Sequence, residues 1–110
     1  MSAYTCIAYF GLRFEVGSEE VEAIELRSDR RVAAARRTGL KYYWGNFGGL
    51  QEHYLMFIGV QLGVMGSENS ESVNIPSSDL QGLIDKTSAK LVEAGFEDIP
   101  SFHLQWQPDI

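Results

Sequence analysis

The longest apolar run of the chain lies at residues 52–65 and reads Glu-His-Tyr-Leu-Met-Phe-Ile-Gly-Val-Gln-Leu-Gly-Val-Met. Because side chains along a β-strand alternate between its two faces, this run predicts a central strand. One face is wholly apolar and consists of Tyr54, Met56, Ile58, Val60, Leu62 and Val64. The other face is mixed and consists of His53, Leu55, Phe57, Gly59, Gln61 and Gly63. We expect helices to cover the apolar face, and a ligand or partner to meet the mixed one.

Three more strands are predicted from alternation and residue type. Tyr4 to Val16 alternates regularly and predicts the first strand. Leu40 to Phe47 is rich in Tyr and Trp and predicts the second strand, and Gly48 and Gly49 supply a hairpin turn into the central, third strand. Phe102 to Gln107 alternates again and predicts the fourth strand.

Capping residues mark the helical segments between the first two strands. Glu19 to Leu26 is predicted as a helix capped by Ser18, with acidic residues in its first turn. The alternative is that Val21 to Leu26 forms the return strand of a hairpin. A second short helix is predicted from Arg30 to Thr38, with the Ser28-Asp29 pair as its candidate cap.

Composition indicates one globular domain over residues 1–110. Hydrophobic residues make up 45% of the chain and charged residues 22%, which is enough for a core without disulfides or metal. The net charge of −6 argues against general binding to nucleic acid or to an anionic membrane. No leader segment and no long apolar run occur, so we expect a cytoplasmic protein. Cys6 is interpreted as a buried thiol, and no cofactor is expected.

The order of elements resembles a known fold. Asp79 to Ala94, whose apolar residues recur at helical spacing, completes the order strand, helix, strand, strand, helix, strand. This order resembles the ferredoxin-like split βαβ arrangement. The resemblance implies an α+β fold with a four-stranded antiparallel sheet in the order 4-1-3-2. It also implies that both helices lie on one face and that the other face is open.

The same layout resembles the dimeric α+β barrel proteins, in which two such domains press their open sheets together, often around a small-molecule pocket. The resemblance implies a homodimer. The residues expected to bind the ligand or partner are Tyr9, Arg13, Leu55 and Phe57 on the open face, with Tyr43 and Phe47 on the neighbouring edge strand. In this interpretation, Phe57→Glu separates the dimer without unfolding the protein.

Two histidines and one glutamate are candidate acid–base residues. In the expected topology His53, His103 and Glu15 lie together at one end of the sheet. A histidine base oriented by Glu15, with Arg13 or Tyr9 positioning a substrate, is chemically sensible. The alternative is that these are rim residues that make ordinary hydrogen bonds. No closely spaced pair of His or Cys occurs, so no metal site is expected.

Basic residues are concentrated in one part of the chain. Six of the nine fall within fifteen positions, namely Arg27, Arg30, Arg31, Arg36, Arg37 and Lys41. We interpret them as a solvated helix face balanced by the glutamates at positions 19–25. The alternative is a site for a phosphate, a nucleic acid backbone or an acidic partner.

We therefore expect a homodimeric module that binds a small molecule or a protein on its open sheet face, without catalysing a reaction. One alternative is a small dimeric α+β barrel enzyme that uses His and Glu in acid–base chemistry. A second alternative is an RNA-binding domain, for which only Tyr9 and Phe57 offer stacking surfaces, outside any recognisable motif.

Overall fold

A computed structural model of the chain describes residues 3–66 and 71–109. In chain order its elements are β1 (Ala3–Val16), a 3₁₀ turn (Ser18–Glu20), α1 (Val21–Glu25), α2 (Arg30–Thr38), β2 (Lys41–Asn46), β3 (Tyr54–Gly66), α3 (Ser77–Glu93) and β4 (Ser101–Asp109). Within these residues, no helix has the length and apolar character needed to cross a membrane.

The four strands form one antiparallel sheet in the order β2-β3-β1-β4, which reads β4-β1-β3-β2 from the other edge. The two long strands, β1 and β3, lie in the centre and the shorter strands form the edges. The predicted α+β class and four-stranded antiparallel sheet are confirmed. The closer assignment to the ferredoxin-like arrangement remains a prediction, because the face opposite the helices is closed in this chain.

The helix boundaries follow from local capping. The Asp29 carboxylate accepts hydrogen bonds from the backbone N–H groups of Arg31 and Val32, at 2.8 and 3.4 Å, and so caps α2 as predicted. The Ser18 cap is wrong, because the Gly17 N–H instead donates to the Glu20 carboxylate at 2.8 Å. The hairpin alternative for residues 21–26 is also wrong, because this segment contains α1.

All three helices pack on one face of the sheet. Their buried side chains include Ile24 from α1, Val32 from α2 and Leu91 from α3, and they contact Met56 and Ile58 of the central strand. The opposite face carries a second cluster, the inner cluster, made of Ile7, Tyr9, Phe47, Leu55 and Phe57. The sheet therefore has a core on each side.

The inner cluster is enclosed by the chain itself. Each of its members is at most 8% exposed, and Phe57 is 0% exposed. The expected open face, with Tyr9, Leu55 and Phe57 available to a partner, is therefore wrong. The expectation that Phe57→Glu leaves the fold intact loses its basis, because a carboxylate at this position would be buried without a partner.

The two edge strands meet across the inner cluster. The Tyr43 hydroxyl of β2 donates a hydrogen bond of 2.6 Å to the Gln107 amide oxygen of β4. Phe47 packs edge-on against Phe57, with ring centroids 5.8 Å apart, and His103 contacts the same ring at 5.7 Å. Because β2 and β4 are at opposite edges of the hydrogen-bonded order, the sheet must curl to bring them together.

A pair of glycines lies where the sheet changes direction. Gly11 and Gly59 are register partners on β1 and β3, and their φ angles are 151° and 152°. A Cβ on Gly11 would overlap the Ile58 carbonyl oxygen, and a Cβ on Gly59 would overlap the Phe10 carbonyl oxygen. The pairing of β1 with β4 ends at Gly11, and the pairing of β3 with β2 begins at Gly59. The glycines therefore divide the sheet into a half that is extended by β4, the β4 half, and a half that is extended by β2, the β2 half.

A β-bulge in β3 changes which side chains face inward. Ala8 is paired with Gly63 and Tyr9 with Gln61, so Leu62 has no partner on β1. After Leu62, the residues of β3 that face the helices and those that face the other side of the sheet are therefore exchanged by one position. Val64 therefore packs with the inner cluster, whereas the sequence pattern placed it on the helix face.

The glycine pair generates a stability prediction. Gly11→Ala or Gly59→Ala is expected to lower the free energy of unfolding by about 2–6 kcal/mol, because the strained φ and the overlap with backbone each cost about 1–3 kcal/mol. Gly82→Ala is the control, because Gly82 lies in α3 with nothing within 4 Å of a new Cβ. That control should raise stability by about 0.5–1 kcal/mol. Urea unfolding measures the free energy of unfolding of all three variants. A Gly11→Ala variant that unfolds at the same urea concentration as the wild type would contradict the prediction.

Candidate functional site

The structure divides the six residues predicted to bind a ligand or partner. Tyr9, Leu55, Phe57 and Phe47 are buried in the inner cluster, and Tyr43 is half-buried at its edge. Only Arg13 is exposed. The five aromatic and aliphatic residues pack together, but they form an interior instead of a binding surface, and Arg13 is not part of it.

Tyr9 is an unusual member of this interior. Its side chain packs against Phe57, and its hydroxyl makes no hydrogen bond with the residues that the structure describes. Burial raises the pKa of Tyr9 well above that of an ordinary phenol, because the charged form would lose its hydration. Tyr9 is therefore held neutral and is not a candidate base.

The candidate acid–base residues are separated. His53 Nε2 lies 3.2 Å from Glu15 Oε1, as expected from their placement at one end of the sheet, but their side chains are 49% and 71% exposed. His103 is paired with Tyr9, six positions from Glu15 along β1, which is roughly 20 Å of strand. The prediction that both histidines lie at one end is wrong, because β4 begins opposite Gly11 in the middle of β1.

His103 instead lines a surface pocket that also includes Arg13. His103 Nε2 is 3.2 Å from the Gly11 carbonyl oxygen, to which it can donate in one tautomer. Arg13, Asp98 and Ser101 line the same surface pocket of about 380 Å³. Within the described residues, no group of three His, Cys, Asp or Glu side chains is placed to hold a metal ion.

The basic residues of α2 are not all solvated. Arg31 forms ion pairs with Asp29 and Glu20, at 2.9 and 3.0 Å, and its guanidinium lies 5.2 Å from the centroid of the Phe14 ring. Arg37 donates to the Ala94 carbonyl oxygen at 3.3 Å. The interpretation as a solvated face is therefore wrong for Arg31, whose side chain is only 22% exposed, whereas Arg37 remains exposed although it contacts the end of α3.

A different surface carries exposed apolar side chains, and we call it the outer patch. Its members are Tyr4, Phe102, Leu104 and Trp106, which are 51%, 55%, 60% and 63% exposed. The β4 residues of this patch are paired with Phe10, Ala8 and Cys6, so they lie on the side of the sheet that carries the helices.

Helix coverage explains why this patch is exposed. The helix α3 packs over β1 and β3, and the edge strand β4 lies beyond it. The other exposed large apolar residues, such as Leu50 and Val92, lie singly in a loop and on a helix. The outer patch is thus a contiguous apolar surface, of a kind that marks interaction sites.

An apolar cavity, the outer cavity, adjoins this patch. Its volume is about 240 Å³, and Phe102 and Leu104 of the patch form one wall. The remaining walls are Ala8, Leu62, Met65, Val73, Ile75 and Leu80. Only apolar side chains line it, so it favours an apolar group over a charged or hydrogen-bonding one.

Sequence reasoning missed this site although its signal was present. Phe102, Leu104 and Trp106 alternate like the apolar face of the third strand, and such a row favours a helix-covered face. The alternation predicts the strand and the side on which these residues lie, but not how far α3 reaches across the sheet. Asn46 was also missed, and its side chain orders the loop of Phe47 through bonds to Gly48 N and His53 N, both at 3.0 Å.

Comparisons with known proteins return no match to a protein family, to a curated protein or to a solved structure. The outer patch and the outer cavity must therefore be interpreted from their own chemistry.

The isolated hydroxyl of Tyr9 generates the first prediction for this region. Tyr9→Phe is expected to raise the free energy of unfolding by about 1 kcal/mol, because it removes a buried donor that has no described partner. Tyr43→Phe is the matched control and should lower stability by a similar amount, because it removes the bond to Gln107. Thermal unfolding compares the two, and a loss of stability in Tyr9→Phe would show that its hydroxyl has a partner.

The ion pairs of Arg31 generate the second prediction. Arg31→Gln is expected to lower stability by about 1–2 kcal/mol, whereas Arg36→Gln, at an exposed position in the same helix, should change it by less than about 0.5 kcal/mol. Urea unfolding at neutral pH measures both. If the two substitutions changed the free energy of unfolding equally, Arg31 would be a solvated surface residue like Arg36, and the prediction would be wrong.

The same contact has a pH dependence. Hydrogen bonding from Arg31 holds the pKa of the Asp29 carboxyl below its ordinary value. The stabilisation is therefore complete above the unfolded pKa, roughly 4, and is lost as the pH falls through the lower folded value. Asp29→Asn keeps a good helix cap and removes the charge, so its stability deficit should be largest at neutral pH and should disappear in acid.

Proposed function

We propose that this protein is a homodimeric binding module and that its contact surface is the outer patch. The observation that carries the proposal is the row of Phe102, Leu104 and Trp106, each more than half exposed on an edge strand. The face first expected to bind is occupied by the inner cluster. The homodimer is thus retained as a proposal, with its interface on the other side of the sheet.

The size of the patch supports this assignment. A large aromatic side chain presents roughly 150–250 Å², so four half-exposed residues present roughly 400 Å² on each copy. A contact that buried this area on both copies would gain about 20 kcal/mol, against an association cost of about 4–15 kcal/mol. The apolar residues of two copies together supply roughly 800 Å², so a surrounding polar rim has to supply the remainder of the roughly 1,200 Å² at the lower end of specific interfaces.

The charge distribution also supports self-association at this place. Two copies of a chain with net charge −6 repel one another at long range. From Ser101 to Gln107 the edge strand carries no Asp, Glu, Lys or Arg, and its one histidine, His103, packs on the other face against Phe57. No charged side chain lines the outer cavity. Contact between the described residues of the outer patch and the outer cavity therefore brings no like charges together.

The other functions expected from the sequence have less support. An acid–base enzyme would need a sheltered base, but His53 and Glu15 are largely exposed, and His103 lies on β4 opposite Tyr9, away from both. RNA binding would need Tyr9 and Phe57 for stacking, and both are buried. The ferredoxin-like arrangement is proposed from element order alone, and a cytoplasmic location is proposed from the sequence alone.

The proposal predicts that a charge on the outer patch prevents association. Leu104→Lys should shift the protein from dimer to monomer in sedimentation velocity at high micromolar concentration. Its circular dichroism should remain unchanged, because this side chain is 60% exposed. Val92→Lys adds the same charge at a 75% exposed apolar position on α3 and should remain a dimer. A Leu104→Lys variant that sediments as a dimer would contradict the proposed interface.

A further inference from the structure

Resting on the proposed homodimer, we propose that the outer cavity of each protomer is filled by Trp106 of its partner. The partner is a second copy of this chain, and the group recognised is an indole ring. The proposal goes beyond association itself because it assigns an occupant to the outer cavity and a role to one aromatic residue.

Trp106 has the properties of a preformed anchor. It is 63% exposed, and it is the largest side chain of the outer patch. The ring of Tyr4 meets it edge-on, with centroids 6.5 Å apart and planes at 89°. This contact restricts the orientation of the indole before association, which reduces the entropy lost on binding.

The outer cavity suits such a ring in size and chemistry. Its volume is about 240 Å³, and an apolar cavity of about 150 Å³ already accepts benzene. Its lining is wholly apolar, so it matches the faces of an indole and offers nothing to a charged ligand. The indole N–H can point toward the open side of the cavity, where water remains accessible.

The position of anchor and cavity on one surface favours a second copy over another partner. Phe102 and Leu104 line the cavity, and Trp106 follows Leu104 two residues later on the same side of β4, about 7 Å away. A two-fold axis in the plane of the surface, midway between them, places each Trp106 over the other copy's cavity. The contact is then reciprocal and closes with two copies.

The test uses the full-length Trp44→Phe variant, in which Trp106 is the only indole. Its sedimentation and its emission spectrum are recorded over the same dilution series. We expect the emission maximum to move to longer wavelength, and iodide quenching to increase, over the same concentrations at which the dimer dissociates. Trp106→Phe, which retains only Trp44, is the control and should show neither change.

A double-mutant cycle tests whether the Trp106 indole occupies the outer cavity of the partner. Trp106→Ala should raise the dimer dissociation constant on the order of 30-fold, as expected for a central aromatic anchor. Leu80→Ala, which enlarges the cavity, should also weaken the dimer, but it should add little in the Trp106→Ala background. Val92→Ala should have no effect in either background. Additive effects of Trp106→Ala and Leu80→Ala would overturn the proposal.

Further outcomes separate this inference from the proposed function. A wild type that remains monomeric at high micromolar concentration removes the homodimer and, with it, this inference. A dimer whose Trp106 emission does not change on dissociation retains the homodimer but leaves the cavity without this occupant. Binding of free indole to the intact dimer, without dissociation, would show that the cavity accepts a small apolar molecule and would overturn the assignment of Trp106.

Discussion

The close approach of the β1 and β3 backbones at Gly11 and Gly59 is the constraint on which the rest of the structure depends. Only at residues without a Cβ can the two central strands touch in this way. On one side of the glycines the sheet is extended by β4, and on the other side by β2. The change of direction between these halves allows Tyr43 to reach Gln107, and it converts an ordinary sheet face into an enclosed core.

The enclosure of the inner cluster and the exposure of the outer patch both follow from the way in which the sheet curls between its two halves. The segment between β1 and β2 carries α1 and α2, whose buried residues pack with Val16 and Met56 in the β2 half. The helix α3 must then cover the remainder, and it reaches β1 and β3 but leaves the outer side of β4 uncovered. The chain thus buries the face that alternation marked as mixed, and it exposes apolar residues on the side that holds its helices.

The parts of the fold that depend on neighbouring residues could be predicted from the sequence. The Asp29 cap and the alternating strands are local features, and a local pattern fixes them. The curl of the sheet, the bulge at Leu62 and the start of β4 opposite Gly11 depend on contacts between distant segments. The contact of His53 with Glu15 joins residues 38 apart and was predicted from the antiparallel pairing of β1 with β3, whereas the position of His103 depends on where β4 begins along β1.

The central place of β1 also bears on how the protein is made. This strand is synthesised before β3 and β4, yet it lies between them in the sheet. Until the ribosome has released residues 101–109, one side of β1 has unpaired backbone groups next to Cys6, Ala8 and Phe10. Such an edge is a template for pairing with other nascent chains, and folding that waits for distant pairing is slow. The growing chain is therefore vulnerable to aggregation until β4 has emerged and paired with β1.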